Sequence, residues 1–241
     1  MKWINLCLLL LLVSCSVTEG PDLNKPLIVI TIDDQHDSIY QNALPILAAH
    51  GYCTTSFINT AVVGSNDLLS WVQVEELEFD YHWETGGHTL HHHDLTSLTL
   101  EEAEYEIHQD WLNLKAHGLS HDSFALPSGH ATAEQFDIIG KYYKNIRSSN
   151  DLRHVQPLNR KYLGYFAYLT EYTAKDAIDR ILQACERQEV VVILGFHRFL
   201  EDSAGHPRNC RPEDFQKIID FIYENDFQVL TLKQACDYLA D

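Results

Sequence analysis

The sequence predicts an α/β fold, a single domain in which a mostly parallel sheet is covered by helices. Three observations predict it. Short β-branched runs alternate with helical patterns about seven times, as in sheets whose strands are joined by crossover helices. The chain has 241 residues, a length that an α/β barrel commonly occupies undivided. Its hydrophobic fraction of 45% supplies a sizeable core and argues against disorder. An open doubly wound sheet or a closed barrel would each satisfy the alternation.

Leu27 to Ile30 is a short apolar run that reads as a buried first strand, continuing to Asp33-Asp34. Ala43 to His50 carries a helical pattern ending at Gly51, and Thr54 to Asn59 reads as the second strand. Asn66 to Leu77 is amphipathic and helical, and Phe79 to Glu84 is a third strand leading into Gly86-Gly87. Thr99 with Glu102 forms a capping box that opens a long helix stopping near Gly118. Ser123 to Leu126 is a short strand broken by Pro127-Ser128-Gly129. Thr132 with Gln135 opens the next helix, and Lys144 to Arg147 is another strand. Residues 150–172 resist assignment; Tyr162, Tyr165, Phe166, Tyr168 and Tyr172 read there as packing residues, with sugar stacking as the other option. Ala174 to Arg187 is a helix, Val190 to Leu194 a strand running into His197, and Pro212 starts the penultimate helix. Phe227 to Leu230 and a last helix from Leu232 close the pattern.

The first residues read as an export signal rather than as part of the fold. Lys2 precedes an apolar run from Leu6 to Val13, too short for a permanent membrane span. Leu12-Val13-Ser14-Cys15 resembles the bacterial lipobox, which implies removal of residues 1–14 and a lipid-anchored Cys15; simple secretion is the competing reading. Residues 15–25 are then a polar tether with Gly20-Pro21, and residues 26–241 are the folded domain. This predicts a protein of the bacterial cell envelope on the periplasmic or outer-membrane side, attached to the membrane through its lipid. The net charge of -18 (35 acidic against 17 basic residues) excludes a phosphate-backbone partner, so no nucleic acid is expected. Cys53, Cys185, Cys210 and Cys236 allow three disulfide pairings or buried thiols.

The chemistry-bearing residues share one address. Asp33 and Asp34 follow the first strand, His88 and His92 the third, Ser128 the fourth, and His197 a late one. In a β/α barrel such strand ends converge on one face. Neighbouring strand residues point to opposite sides, so Asp33 and Asp34 can do different work. They could also cap a helix or face water. On a helical turn the rings of His88 and His92 would share one side, and with one carboxylate they form a zinc-type ligand set. The bland alternative is that His91-His92-His93 is a solvated loop. Fourteen histidines make metal chemistry the first thing to examine.

These motifs resemble the polysaccharide deacetylases, the NodB-homology domains of carbohydrate esterase family four. Thr31-Ile32-Asp33-Asp34-Gln35 matches the family's T-F-D-D-G, His88-Thr89-Leu90-His91-His92 its H-[ST]-x-x-H, and Leu194-Gly195-Phe196-His197 its L-x-x-H. The resemblance implies a distorted (β/α)7-type barrel and a metal-dependent hydrolase that removes acetyl groups from N-acetylated amino sugars of a polysaccharide. By resemblance, Asp33 is the general base and His197 the general acid, while Asp34, His88 and His92 hold a divalent ion, zinc foremost, with cobalt or nickel as alternatives. Ser128 supplies an oxyanion N–H. The implied partner is an acetylated glycan.

Three departures qualify this. Gln35 replaces the motif's glycine, and Ala125 stands where the family commonly has an arginine paired with the base, leaving Asp33 less anchored. The aspartate that orients the acid histidine has no clear match; Asp151 is the nearby candidate. An O-acetyl esterase of xylan type and a catalytically silent glycan-binding lipoprotein are the competing functions.

Overall fold

Strand β1 (Leu27–Asp33) is buried along its whole length, and its alternation defines the two sides of the sheet. Ile28, Ile30 and Ile32 join the larger core against the helices. Leu27 and Val29 face a second apolar cluster with Phe57, Ala125, Leu163, Tyr165 and Ile193. The molecule is described here from a computed structural model covering residues 24–203 and 205–239. The expected export signal, the lipidated Cys15 and most of the tether therefore lie outside the described residues. No helix among the described residues is long and apolar enough to cross a membrane.

The sheet runs β5 (Asn145–Arg147), β4 (Ser123–Ala125), β3 (Glu84–Gly87), β2 (Thr55–Ile58), β1, β7 (Val191–Phe196) and β6 (Phe166–Ala167), every neighbouring pair parallel. A short β8 (Val229–Leu230) pairs with Ile28 and Val29 at the start of β1. The sheet curls into a half-barrel, and residues 163–168 span its two edges. Leu163 donates to the Ile146 carbonyl at 2.9 Å and Ser148 to the Leu163 carbonyl at 2.7 Å, while Tyr168 donates to the Gly195 carbonyl at 2.9 Å. This is the expected distorted (β/α)7-type barrel.

Helices α1 (Leu44–Ala49), α2 (Trp71–Phe79), α3 (Leu100–Ala116), α4 (Ala133–Tyr142), α5 (Ala174–Glu186) and α6 (Pro212–Glu224) contribute to the larger core. The last helix, α7 (Leu232–Leu239), packs Leu232, Ala235, Cys236 and Leu239 into the inner cluster. The predicted capping boxes at Thr99 and Thr132 both form, each with its hydroxyl accepting from the third helical N–H.

Several elements sit elsewhere than the sequence pattern predicts. The helix expected over 66–77 begins at Trp71, because Ser70 and Gln73 cap each other there. The third strand is Glu84–Gly87 rather than 79–84. Glycines make this register necessary: a Cβ at Gly86 would lie 2.5 Å from the Phe57 ring, and one at Gly87 would lie 2.2 Å from the Tyr143 hydroxyl. The extra strand, β6, lies in the tyrosine-rich segment, whose sequence carries no strand pattern. Cys53, Cys185, Cys210 and Cys236 are all thiols rather than disulfides.

Candidate active site

β1 ends in the left-handed region, with Asp34 at φ 69 and Gln35 at φ 38. This turn resolves the expected opposition of the two aspartates. Asp33 leaves the strand on the inner face, and the turn brings Asp34 back to the same cavity, whose volume is about 220 Å³. Gln35 holds a conformation that favours glycine. Its side chain compensates: Nε2 donates to the Asn59 carbonyl and Oε1 accepts from the Asn59 N–H, both at 3.0 Å. Asn59 in turn donates through Nδ2 to the His88 carbonyl. The ends of β1, β2 and β3 are thereby tied together.

Asp34, His88 and His92 converge. Asp34 Oδ1 lies 3.5 Å from His88 Nε2 and 3.3 Å from His92 Nε2. The two histidines are on a loop, with Thr89 at φ 66 and His92 at φ 62, rather than on the expected helical turn. Positive φ at both positions breaks the helix and folds the loop back, so that the rings approach with centroids 4.9 Å apart.

The donor set fits a divalent ion. Asp34 Oδ1 is buried and accepts no hydrogen bond among the described residues. His88 Nδ1 lies 2.8 Å from the Ala125 carbonyl, which places the proton on Nδ1 and turns the Nε2 lone pair toward Asp34. Burial opposes ionisation of Asp34, but in their protonated forms His88, then His197 and His92, outweigh it and hold the carboxyl below its ordinary range. Asp110 on α3 fixes His88 from behind, accepting from its N–H at 3.1 Å as well as from Thr60 and Tyr143.

Asp33 is anchored, contrary to the expectation from Ala125. Arg147 Nη2 donates to Asp33 Oδ1 at 2.7 Å and to Oδ2 at 2.6 Å, with both side chains buried. In the β4–β5 pairing Arg147 lies directly opposite Ala125, and paired residues on parallel strands share a face. The cation that pairs with Asp33 thus stands on β5, in register with Ala125 on β4. The Tyr165 ring covers its guanidinium at 3.8 Å. Burial works against the Asp33 charge, but Arg147 and then His197 hold its pKa below the ordinary value. An arginine inside a short predicted strand was the signal available in the sequence, since a buried cation needs a partner.

His197 follows β7 and lines the same cavity, with Nε2 3.6 Å from Asp33 Oδ2. Burial lowers its pKa to about 4, with Arg208 and Arg147 adding to the effect against Asp33 and Asp34. Arg208 Nη1 approaches Nε2 at 3.2 Å and donates to the Tyr165 hydroxyl at 3.2 Å. His197 Nδ1 is buried and has no hydrogen-bond partner among the described residues. Asp151 does not supply one: it accepts from Arg180 Nε at 2.9 and 3.0 Å. Ser128 sits at φ 55 in the single turn after β4 and lines the cavity.

All six residues singled out by the sequence therefore meet at one cavity: Asp33, Asp34, His88, His92, Ser128 and His197. The family profile described as polysaccharide deacetylase matches residues 20–143. The chain belongs to the polysaccharide deacetylase family. Solved structures share its fold. A carbohydrate esterase family four domain of a multidomain xylanase, from the hindgut metagenome of Trinervitermes trinervoides, superposes with a TM-score of 0.64 at 18% identity, over 88% of this chain and 90% of that one. A peptidoglycan deacetylase from Bacillus subtilis gives 0.58 at 17% identity, over 90% and 93%. A pseudoenzyme of the same family from Bacillus anthracis gives 0.59 at 18%, over 91% and 67%. At these identities the likeness shows the fold alone. Comparison with curated proteins gives no match. Within this polysaccharide deacetylase fold, Asp33 is paired with Arg147 of β5, and His197 Nδ1 has no hydrogen-bond partner among the described residues.

Proposed function

We propose that the protein is a metal-dependent deacetylase that removes acetyl groups from N-acetylated amino sugars of an envelope or extracellular polysaccharide. The observation that carries this is the Asp34–His88–His92 ligand set facing the cavity that also holds Asp33 and His197. A divalent ion bound there, zinc foremost, supplies Lewis acidity toward the acetyl carbonyl and lowers the pKa of water. Asp33, fixed in place by Arg147, accepts a proton from the attacking water. His197 Nε2, 3.6 Å from Asp33 Oδ2, delivers a proton to the leaving nitrogen. With its pKa lowered to about 4, the free-enzyme ring is neutral at pH 7, so the proton it donates is acquired during turnover. The water proton ends on the amine and its hydroxyl on acetate, which balances the hydrolysis. In this reading the Ser128 backbone N–H steadies the developing oxyanion. The lipobox-like leader supports a place at the cell envelope.

One feature favours a second reading. The unpartnered Nδ1 of His197 leaves the proposed acid without an orienting carboxylate, and one of the structures that share the fold is described as a pseudoenzyme. A silent glycan-binding protein would keep metal and glycan but lose turnover. Metal content and turnover of variants separate the two. Asp33→Asn and His197→Ala are expected to keep the ion and lose acetate release, whereas His88→Ala and His92→Ala lose both. Free amine rather than free hydroxyl products distinguish the deacetylase from an O-acetyl esterase. Wild type that binds metal and glycan yet releases no acetate overturns the enzyme reading.

A further inference from the structure

We infer that the outward face of the loop after β3 holds a second divalent transition-metal ion, bound by His91, His93 and Glu106. The described residues contain two groups of three metal-ligating side chains with ligand atoms all within 4.8 Å of one another; this is the one outside the proposed active site. The two groups share a pattern, one carboxylate oxygen facing two imidazole nitrogens. Here Glu106 Oε1 lies 2.8 Å from His91 Nδ1 and 3.3 Å from His93 Nδ1. The rings stack at an interplanar angle of 26° with centroids 5.6 Å apart.

The ligands are prepared rather than merely close. The Glu106 side chain is 7% exposed, and a carboxylate buried to that degree needs hydrogen-bond donors or a cationic counterpart; His91 Nδ1 is within hydrogen-bond distance of it. Among the described residues no lysine or arginine pairs with it; its ion-pair contacts are to these two histidines. Its orientation is fixed, since Oε2 accepts from the His91 N–H at 2.9 Å and its backbone carbonyl from the Leu90 N–H at 3.2 Å. The histidine side chains are about half exposed, 46% and 54%. Three protein ligands with a side open to water make an incomplete shell of the kind zinc accepts. Two imidazoles and one carboxylate suit zinc, nickel or copper rather than magnesium or calcium. A cavity of about 400 Å³ beside His93, bordered by Glu101, Glu102 and Tyr105, gives the ion access. Bound there, the ion pins the loop that carries His92 to helix α3.

Equilibrium dialysis of the metal-stripped full chain against Zn²⁺, followed by metal analysis, tests this. Wild type is expected to take two ions per chain, H91A/H93A one, D34N/H92A one, and the quadruple variant none. Circular dichroism verifies folding; should H91A/H93A not fold, Glu106→Gln, of the same size, must show the same loss of one ion. The inference is overturned if H91A/H93A or folded Glu106→Gln binds as many ions as wild type, or if D34N/H92A binds none. Failure of the active-site reading looks different: D34N/H92A then binds as many ions as wild type, while H91A/H93A still loses one.

Discussion

The loop from His88 to His93 presents histidines on two faces, and the faces differ in what stands behind them. Of the inward pair, His88 is built into the sheet, while the His92 side chain is 42% exposed. His88 is held by the Ala125 carbonyl on one side and Asp110 on the other, and Asn59 ties its backbone to β2. The outward pair rests on Glu106 alone, with both rings about half exposed. The same residue type, within six positions, is thus a buried, supported ligand at His88 and a solvent-facing one at His91, His92 and His93. Orientation by outer partners and burial separate a site fit for chemistry from one fit for holding a loop.

The largest expected effect comes from breaking the inward set. His88→Ala should remove the active-site ion and lower acetate release at least about 10²–10³-fold, the scale of losing a main electrostatic stabiliser; metal analysis and initial rates read it. H91A/H93A should leave that ion in place.

Arg147 comes next. Arg147→Ala leaves Asp33 buried without its cation and should cost about 3–5 kcal/mol in denaturant unfolding. Arg147→Lys keeps the charge but not the fork, and should recover part of it. Because Ala125 is the register partner of Arg147, the double variant A125R/R147A should regain stability over R147A. A double variant no more stable than R147A would mean that the arginine works only from β5.

Gln35 tests the tie between strand ends. Gln35→Ala keeps the left-handed strain and loses both bonds to Asn59, an expected cost of about 2 kcal/mol at about 1 per hydrogen bond. Gln35→Gly relieves the backbone and should cost about 1 kcal/mol less than Gln35→Ala. Thermal melts of the two compare directly.

The smallest effect is pH-linked and lies at the base of β3. Burial raises the Glu84 pKa against hydrogen bonds from Ser123, the Lys233 N–H and Thr55. The folded chain therefore keeps this proton where the unfolded chain, with an ordinary value of about 4.3, has lost it. The stability it contributes is full below that value and is lost as pH rises through the raised pKa. Wild type should consequently lose melting temperature relative to Glu84→Gln as pH rises above the ordinary glutamate range. Parallel curves would show that Glu84 does not titrate differently on folding.

Much of this was legible in the sequence because it is local. β-branched runs, capping boxes and the H-[ST]-x-x-H spacing are short-range signals, and they place Asp33, Asp34, His88, His92 and His197 at strand ends. The features that were not legible are long-range. Arg147 lies 114 positions from Asp33, and no pattern in the chain says that the arginine expected at 125 sits on the neighbouring strand. β6 was hidden because two residues joining the sheet from a tyrosine-rich segment carry no periodicity. There Tyr168 and Tyr172 do pack, as expected, while Tyr165 does more by lining the cavity and covering Arg147. The backbone turn that turns Asp34 back to Asp33's cavity depends on left-handed residues stabilised by Asn59 from another strand.

Deacetylation is tested by acetate release from chitin oligomers, peptidoglycan, poly-N-acetylglucosamine and acetylated xylan, with zinc-loaded and chelator-treated protein side by side. Acetate together with free amine is expected from at least one N-acetylated polymer, lost on chelation, restored by zinc and absent in Asp33→Asn. Zinc-loaded wild type that binds glycan but releases acetate from none of the four would contradict it.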